Sequence, residues 1–154
     1  MKNYEQLLCI LQISLNFPNN FFLLNLDKET SSISLFEESS LVFTKVYPFG
    51  TNSIINDISK LCSLNENEVR SIIKKVNFNY TTNRNEHVDK KLFKESKFKK
   101  LSFLHIKEII GARVTEMLDY LFNKNKNLKY VNNKVFNVDI FFEDKEILEY
   151  LGQS

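Results

Sequence analysis

The stretch from Phe21 to Asp57 constrains the fold of this chain more than any other. Residues 21–26 read Phe-Phe-Leu-Leu-Asn-Leu, a run apolar but for Asn25, of the kind that forms a strand covered on both faces. A polar break follows at Asp27-Lys28-Glu29-Thr30. Residues 31–37 and 41–48 then alternate as two further strands, with Glu37 to Ser40 as the hairpin loop between them. Gly50-Thr51-Asn52 opens a helix carrying Ile54, Ile55, Ile58 and Leu61, with Thr51 or Asn52 able to cap it. Three strands closing on a helix start predict an α/β fold with a mixed sheet and helices packed on it.

The flanks extend this unit. Tyr4, Leu7, Leu8, Leu11 and Leu15 fall at helical spacing, so residues 3–15 read as a leading amphipathic helix ended by Pro18. Ser63-Leu-Asn-Glu66 has capping-box spacing ahead of a second helix with Val69, Ile72, Ile73 and Val76 on its apolar face. Residues 77–100 are polar and then basic, with six lysines between 89 and 100. A long helix follows over 103–122, with Ile106, Ile109, Ile110, Val114, Met117, Leu118, Leu121 and Phe122 as its stripe. Lys134 to Phe142 reads as the last strand and Lys145 to Leu151 as a short last helix. At 154 residues the chain reads as one domain, 1–154, large enough for its own core.

Composition excludes several function classes. A net charge of +2 is too weak to point to nucleic acid. The 89–100 lysines alternate with Phe93 and Phe98, but Asp89 and Glu95 dilute them, and a solvated connection is the simpler reading. Cys9 and Cys62 are far apart and lack metal-ligand spacing, as do His87 and His105, so the cysteines read as small core residues in a reducing compartment and no metal is expected. No apolar run approaches the roughly 20 residues of a membrane span, and a cytoplasmic location is expected.

In order and spacing these elements resemble the C-terminal lobe of FtsA, a cell-division family of the actin-like ATPases. The strand–turn–strand of Phe21–Phe36 looks like that family's phosphate unit. Thr44-Lys45-Val46-Tyr47-Pro48-Phe49-Gly50 resembles its third strand and turn, and Asn56-Asp57-Ile58 its helix signature. Ile109-Ile110-Gly111-Ala112-Arg113-Val114-Thr115-Glu116-Met117-Leu118 resembles its long helix. The resemblance implies a ribonuclease H-like lobe. It also implies that Arg113 and Glu116 bind the tail of the tubulin-like protein FtsZ, one through a bidentate fork and the other from the same helix face. The plain alternative for those two residues is a solvated i, i+3 ion pair.

The departures concern the nucleotide. The family's Asp-x-Gly-Gly turn stands here as Asn25-Leu26-Asp27-Lys28-Glu29, without glycine. Glycines there let backbone N–H groups approach phosphate. Asp27 and Glu29 would set carboxylates against a triphosphate, each contact costing roughly 1 kcal/mol at about 4 Å in water. The family's adenosine Glu falls near Arg70, and its late glycine pair near Phe142-Glu143. Thr30 and Ser31 remain as a relic of the phosphate turn.

The expectation is therefore a non-catalytic interaction module without a cofactor, located at the division site through its partners. The second reading is an ATP-binding lobe that works with a separate lobe, and the third is a decaying remnant with no partner. Self-association belongs with these expectations. Glu146 and Glu149 before Leu151–Ser154 make a poor lipid anchor, so direct membrane insertion is not expected.

Overall fold

The computed structural model describes residues 20–38, 40–75, 86–130 and 137–142. The helix expected over 3–15, the polar stretch 77–85, residues 134–136 of the last strand and the helix over 145–151 lie outside them, as does Cys9.

The protein is α/β, with a four-stranded mixed sheet in the order β3-β2-β1-β4. β1 (Asn20–Leu26) runs antiparallel to β2 (Ser31–Glu37), and β2 runs antiparallel to β3 (Ser40–Tyr47). β4 (Asn137–Phe142) returns parallel to β1, which a crossover through the helices makes possible. β1 therefore has neighbours on both sides, and the apolar run has its explanation. Phe22, Leu24 and Leu26 enter the main core, while Phe21 and Leu23 are buried on the opposite face with Phe36. Phe21 and Phe36 face each other in register and stack with centroids 4.7 Å apart.

The hairpin between β2 and β3 falls at the expected place, with Glu38 in the left-handed region at φ 48°. A bulge interrupts the β2–β3 register between Leu35 and Phe36, so that Leu41 lies opposite Phe36 while Phe43 lies opposite Leu35.

Helix α1 (Asn52–Cys62) buries Ile54, Ile55, Ile58 and Cys62. Leu61, expected on the apolar face, is 68% exposed, and Cys62 takes the core position one turn beyond Ile58. The cysteine is thus the small core residue that the sequence suggested, and burial pushes its thiol pKa up.

The expected capping box is displaced by two residues. Ser63 ends α1 in a left-handed conformation, at φ 44° and ψ 52°, with its N–H on Lys60 O and that of Leu64 on Ser59 O. Helix α2 (Glu66–Ile73) is instead capped by Asn65, with Glu68 as the reciprocal partner. Serine and glutamate had the right spacing, but the chain needed Ser63 to stop the preceding helix.

Helix α3 (Phe103–Leu118) starts on a Ser102 cap and buries Ile106, Ile109, Ile110, Val114 and Met117. The expected helix to 122 continues as a π turn over Asp119–Asn123, which keeps Leu121 in the core. The core lies between the helices and the face of the sheet formed by Phe22, Leu24, Leu26, Ile33, Leu35 and Tyr47.

Candidate functional site

Three side-chain clusters surround the start of α1 and its contacts with α2 and α3. The first is the β1–β2 turn. Its Asp27 N–H donates to Thr30 O at 2.9 Å, closing a tight turn. The carbonyls of Asp27 and Lys28 accept from the N–H groups of Thr51 and Asn52, each at 2.9 Å. A helix N-terminus carries unpaired N–H donors and attracts anions. Here the turn supplies its own carbonyls to those donors. Thr51 sits at the N-cap without a side-chain capping bond, so the capping expected of its side chain is done by the turn.

Gly50 makes this contact possible. A Cβ there would lie 2.3 Å from Asp27 O and 2.5 Å from Lys28 O. Ser31 is 1% exposed and its hydroxyl donates to Phe49 O at 2.7 Å, so it ties β2 to the end of the third strand's turn. Thr30 is exposed on the turn. Glu29 accepts from Asn52 Nδ2 at 2.5 Å, and Asn52 Oδ1 accepts from Arg70 at 2.7 Å. A carboxylate, an amide and a guanidinium thus form a chain from the turn to α2. Thr30 and Ser31, the two hydroxyls expected to remain from a phosphate turn, are neighbours in sequence, but only Thr30 is exposed.

The second cluster contains Arg113. Its Nε donates to Asp57 Oδ2 at 2.5 Å and its Nη1 to Glu116 Oε2 at 2.6 Å. Asp57 sits on α1, so the guanidinium links α1 to α3 while also closing the i, i+3 pair. The hydrogen bond to Asp57, with the charges of both carboxylates, pushes the Arg113 pKa further up against partial burial. The structure therefore brings together Arg113 and Glu116, and adds Asp57. Asp57 was visible within the Asn56-Asp57-Ile58 motif, but nothing in its spacing to Arg113 connected the two.

The third cluster was missed by sequence reasoning. Glu68 is 3% exposed and accepts from three successive backbone N–H groups. Those of Lys94, Glu95 and Ser96 reach Oε1 at 2.6, 2.7 and 3.0 Å. The Ser96 hydroxyl and the Asn65 N–H reach Oε2. Burial alone would raise the Glu68 pKa, but the Ser96 hydroxyl and the N–H groups of Ser96, Glu95 and Asn65 bring it down to about 2. The basic segment, read as a solvated connection, is gripped at its middle by this carboxylate. The Val88–Leu101 backbone bond also holds it, as does the edge-to-face pair of Phe93 and Phe98. The signal was present as Asn65-x-x-Glu68, in competition with the serine two residues earlier.

Among the described residues no group of three or more His, Cys, Asp or Glu is arranged to hold a metal ion, and no helix is long and apolar enough to cross a membrane.

No protein-family model matches the sequence, and no match is found among curated proteins. Solved structures do share the fold. The PilM-PilN type IV pilus biogenesis complex is similar over 92% of this chain and 34% of its own, with a TM-score of 0.60 and 8% identity. MreB 5 of Spiroplasma citri bound to AMPPNP is similar over 92% of this chain and 54% of its own, with a TM-score of 0.51 and 9% identity. Bacillus thuringiensis ParM with ATP is similar over 89% of this chain and 38% of its own, with a TM-score of 0.51 and 16% identity. The chain has the fold of an actin-like ATPase lobe and spans about a third to a half of the length of these proteins.

Proposed function

We propose that this actin-like lobe is a non-catalytic interaction module of FtsA type. In this reading it binds the C-terminal tail of an FtsZ-like tubulin homologue at the division site, through Arg113 and Glu116 on α3. The observation that carries the non-catalytic half is the occupied helix start. Backbone donors of α1 that would serve an anion already hold the carbonyls of Asp27 and Lys28. Glu29 adds a carboxylate beside them. A phosphate group would have to displace a packed turn and meet a negative charge.

The Arg113 geometry suits a peptide acid. Asp57 holds Nε and so orients the guanidinium, while Nη1 donates to a more exposed carboxylate, Glu116. A tail carboxylate can exchange with Glu116 for Nη1 without breaking the bond to Asp57, and Glu116 is then free to accept a peptide N–H or a lysine.

The test is fluorescence anisotropy with a labelled FtsZ-type tail peptide. Micromolar binding, roughly −8 kcal/mol, that is lost in the Arg113→Glu, Glu116→Arg double variant supports the assignment. Binding undiminished in a folded double variant removes Arg113 and Glu116 from the site. No binding up to millimolar peptide removes the partner.

The second reading is an ATP-binding lobe completed by a separate lobe. It draws on the similar MreB 5 and ParM structures, which are described with AMPPNP and ATP. Protection of the chain by Mg-ATP, alone or with a companion lobe, would replace the non-catalytic reading.

A further inference from the structure

The outer strand β3 carries a pattern that reads the same in both directions. Val42, Thr44 and Val46 recur at every second residue. Thr44 and Val46 lie beside Ser34 and Ser32, on the face away from the main core, while Phe43 and Lys45 lie beside the core residues Leu35 and Ile33. Val42 is 53% exposed, Val46 61%, and Thr44 is exposed between them. Among the described residues the sheet order leaves β3 at the edge, with a partner on one side.

An edge strand of this kind is ordinarily guarded by charge, most often lysine. Here the strand's single charged residue, Lys45, is half-buried on the helix side, with its ammonium 5.0 Å from the Tyr47 ring centroid. The guard lies over its own strand, and β3 has no other charge to offer its rim.

A two-fold antiparallel pair must set one residue opposite its own copy, because bonded and non-bonded pairs alternate along the ladder. Centring on Lys45 opposes two ammonium groups. Centring on Phe43 sets Val42 against Thr44. Centring on Thr44 sets threonine against threonine and each Val42 against Val46, while each Phe43 meets Lys45 on the other face. That register alone matches β-branched residues throughout one face and opposes no like charges.

We propose that β3 pairs antiparallel with β3 of a second copy, with Thr44 on the two-fold axis, so that two four-stranded sheets become one. Val42 is the extra residue of the bulge, so the strand bends beyond it and the Val42–Val46 pairs are the last of the ladder. The paired run is short, and the dimer is weak and reversible. This surface is separate from Arg113 and stands without the tail-binding reading.

The test is sedimentation velocity on the full chain over a micromolar to millimolar range. A monomer–dimer equilibrium is expected within that range, as for a small transient interface. Val46→Glu places a carboxylate in both valine pairs, and Thr44→Lys places like charges opposite each other on the axis. Each should raise the dissociation constant by at least about tenfold. Circular dichroism establishes that both variants are folded. Leu61→Glu, on the exposed side of α1, should leave the equilibrium unchanged. A chain that sediments as a monomer throughout overturns the proposal, as does a dimer that both β3 variants leave intact.

Discussion

The α-carbon of Gly50 lies so close to the carbonyl of Asp27 that a methyl group on it would sit 2.3 Å from that oxygen. Both partners are backbone, held by the Thr51 and Asn52 hydrogen bonds, so neither can swing aside. Gly50→Ala should destabilise the fold by about 2 kcal/mol, the scale of an overpacked contact. Urea denaturation measures it. A change within about 0.5 kcal/mol would mean that the turn is not anchored on α1.

Glu68 should make the protein acid-sensitive in a defined window. Its folded pKa of about 2 lies below its ordinary 4.5. The ionised form is therefore bound more strongly in the folded state. The stabilisation is complete above about pH 4.5, falls as pH drops toward 2, and amounts to up to roughly 3 kcal/mol. Glu68→Gln keeps the size but loses an acceptor at Ser96 and Asn65. Its stability deficit should be large at pH 6 and shrink steadily on acidification. A deficit independent of pH down to 2.5 would show that the carboxylate charge is not what grips residues 94–96.

Arg113 should couple unequally to its two carboxylates. Asp57 reaches it from another helix and is the more buried of the two, while Glu116 is an i, i+3 neighbour at the surface. Double-mutant cycles with alanine should give about 1 kcal/mol for Asp57–Arg113 and a few tenths for Arg113–Glu116. Equal couplings would contradict the view that Asp57 fixes the guanidinium and Glu116 can be exchanged.

Mg-ATP should leave the melting temperature unchanged at millimolar concentration. A ligand at one hundred times its dissociation constant would add about 2.7 kcal/mol of stability and shift the transition by several degrees. A shift of that size, abolished by removing magnesium, would restore a nucleotide site near Thr30.

Much of the scaffold was legible because it follows local periodicity. β1, β2 and β3 were found within a residue of their observed bounds, since alternation and an apolar run report burial directly. The stripe on α3 was read for the same reason. The errors came where two local signals competed. Ser63 and Asn65 both offered a cap, and only the need to terminate α1 in a left-handed residue decided between them. Leu61 and Cys62 both offered an apolar side chain, and the smaller one, one turn beyond the buried Ile58, took the core position.

The sequence by itself determined the α/β order and the absence of glycine from the first turn, because these depend on neighbouring residues and their period; the actin-like plan came from resemblance to a known family. Tertiary structure alone decided that this turn caps α1 with its own carbonyls across Gly50, and that Asp57 meets Arg113 from 56 residues away. It also decided that Glu68 closes on the backbone of residues 94–96. A hydrogen bond depends on positions good to a few tenths of an ångström. Residues far apart in the chain reach such positions only when the packed core holds their helices and turns in place.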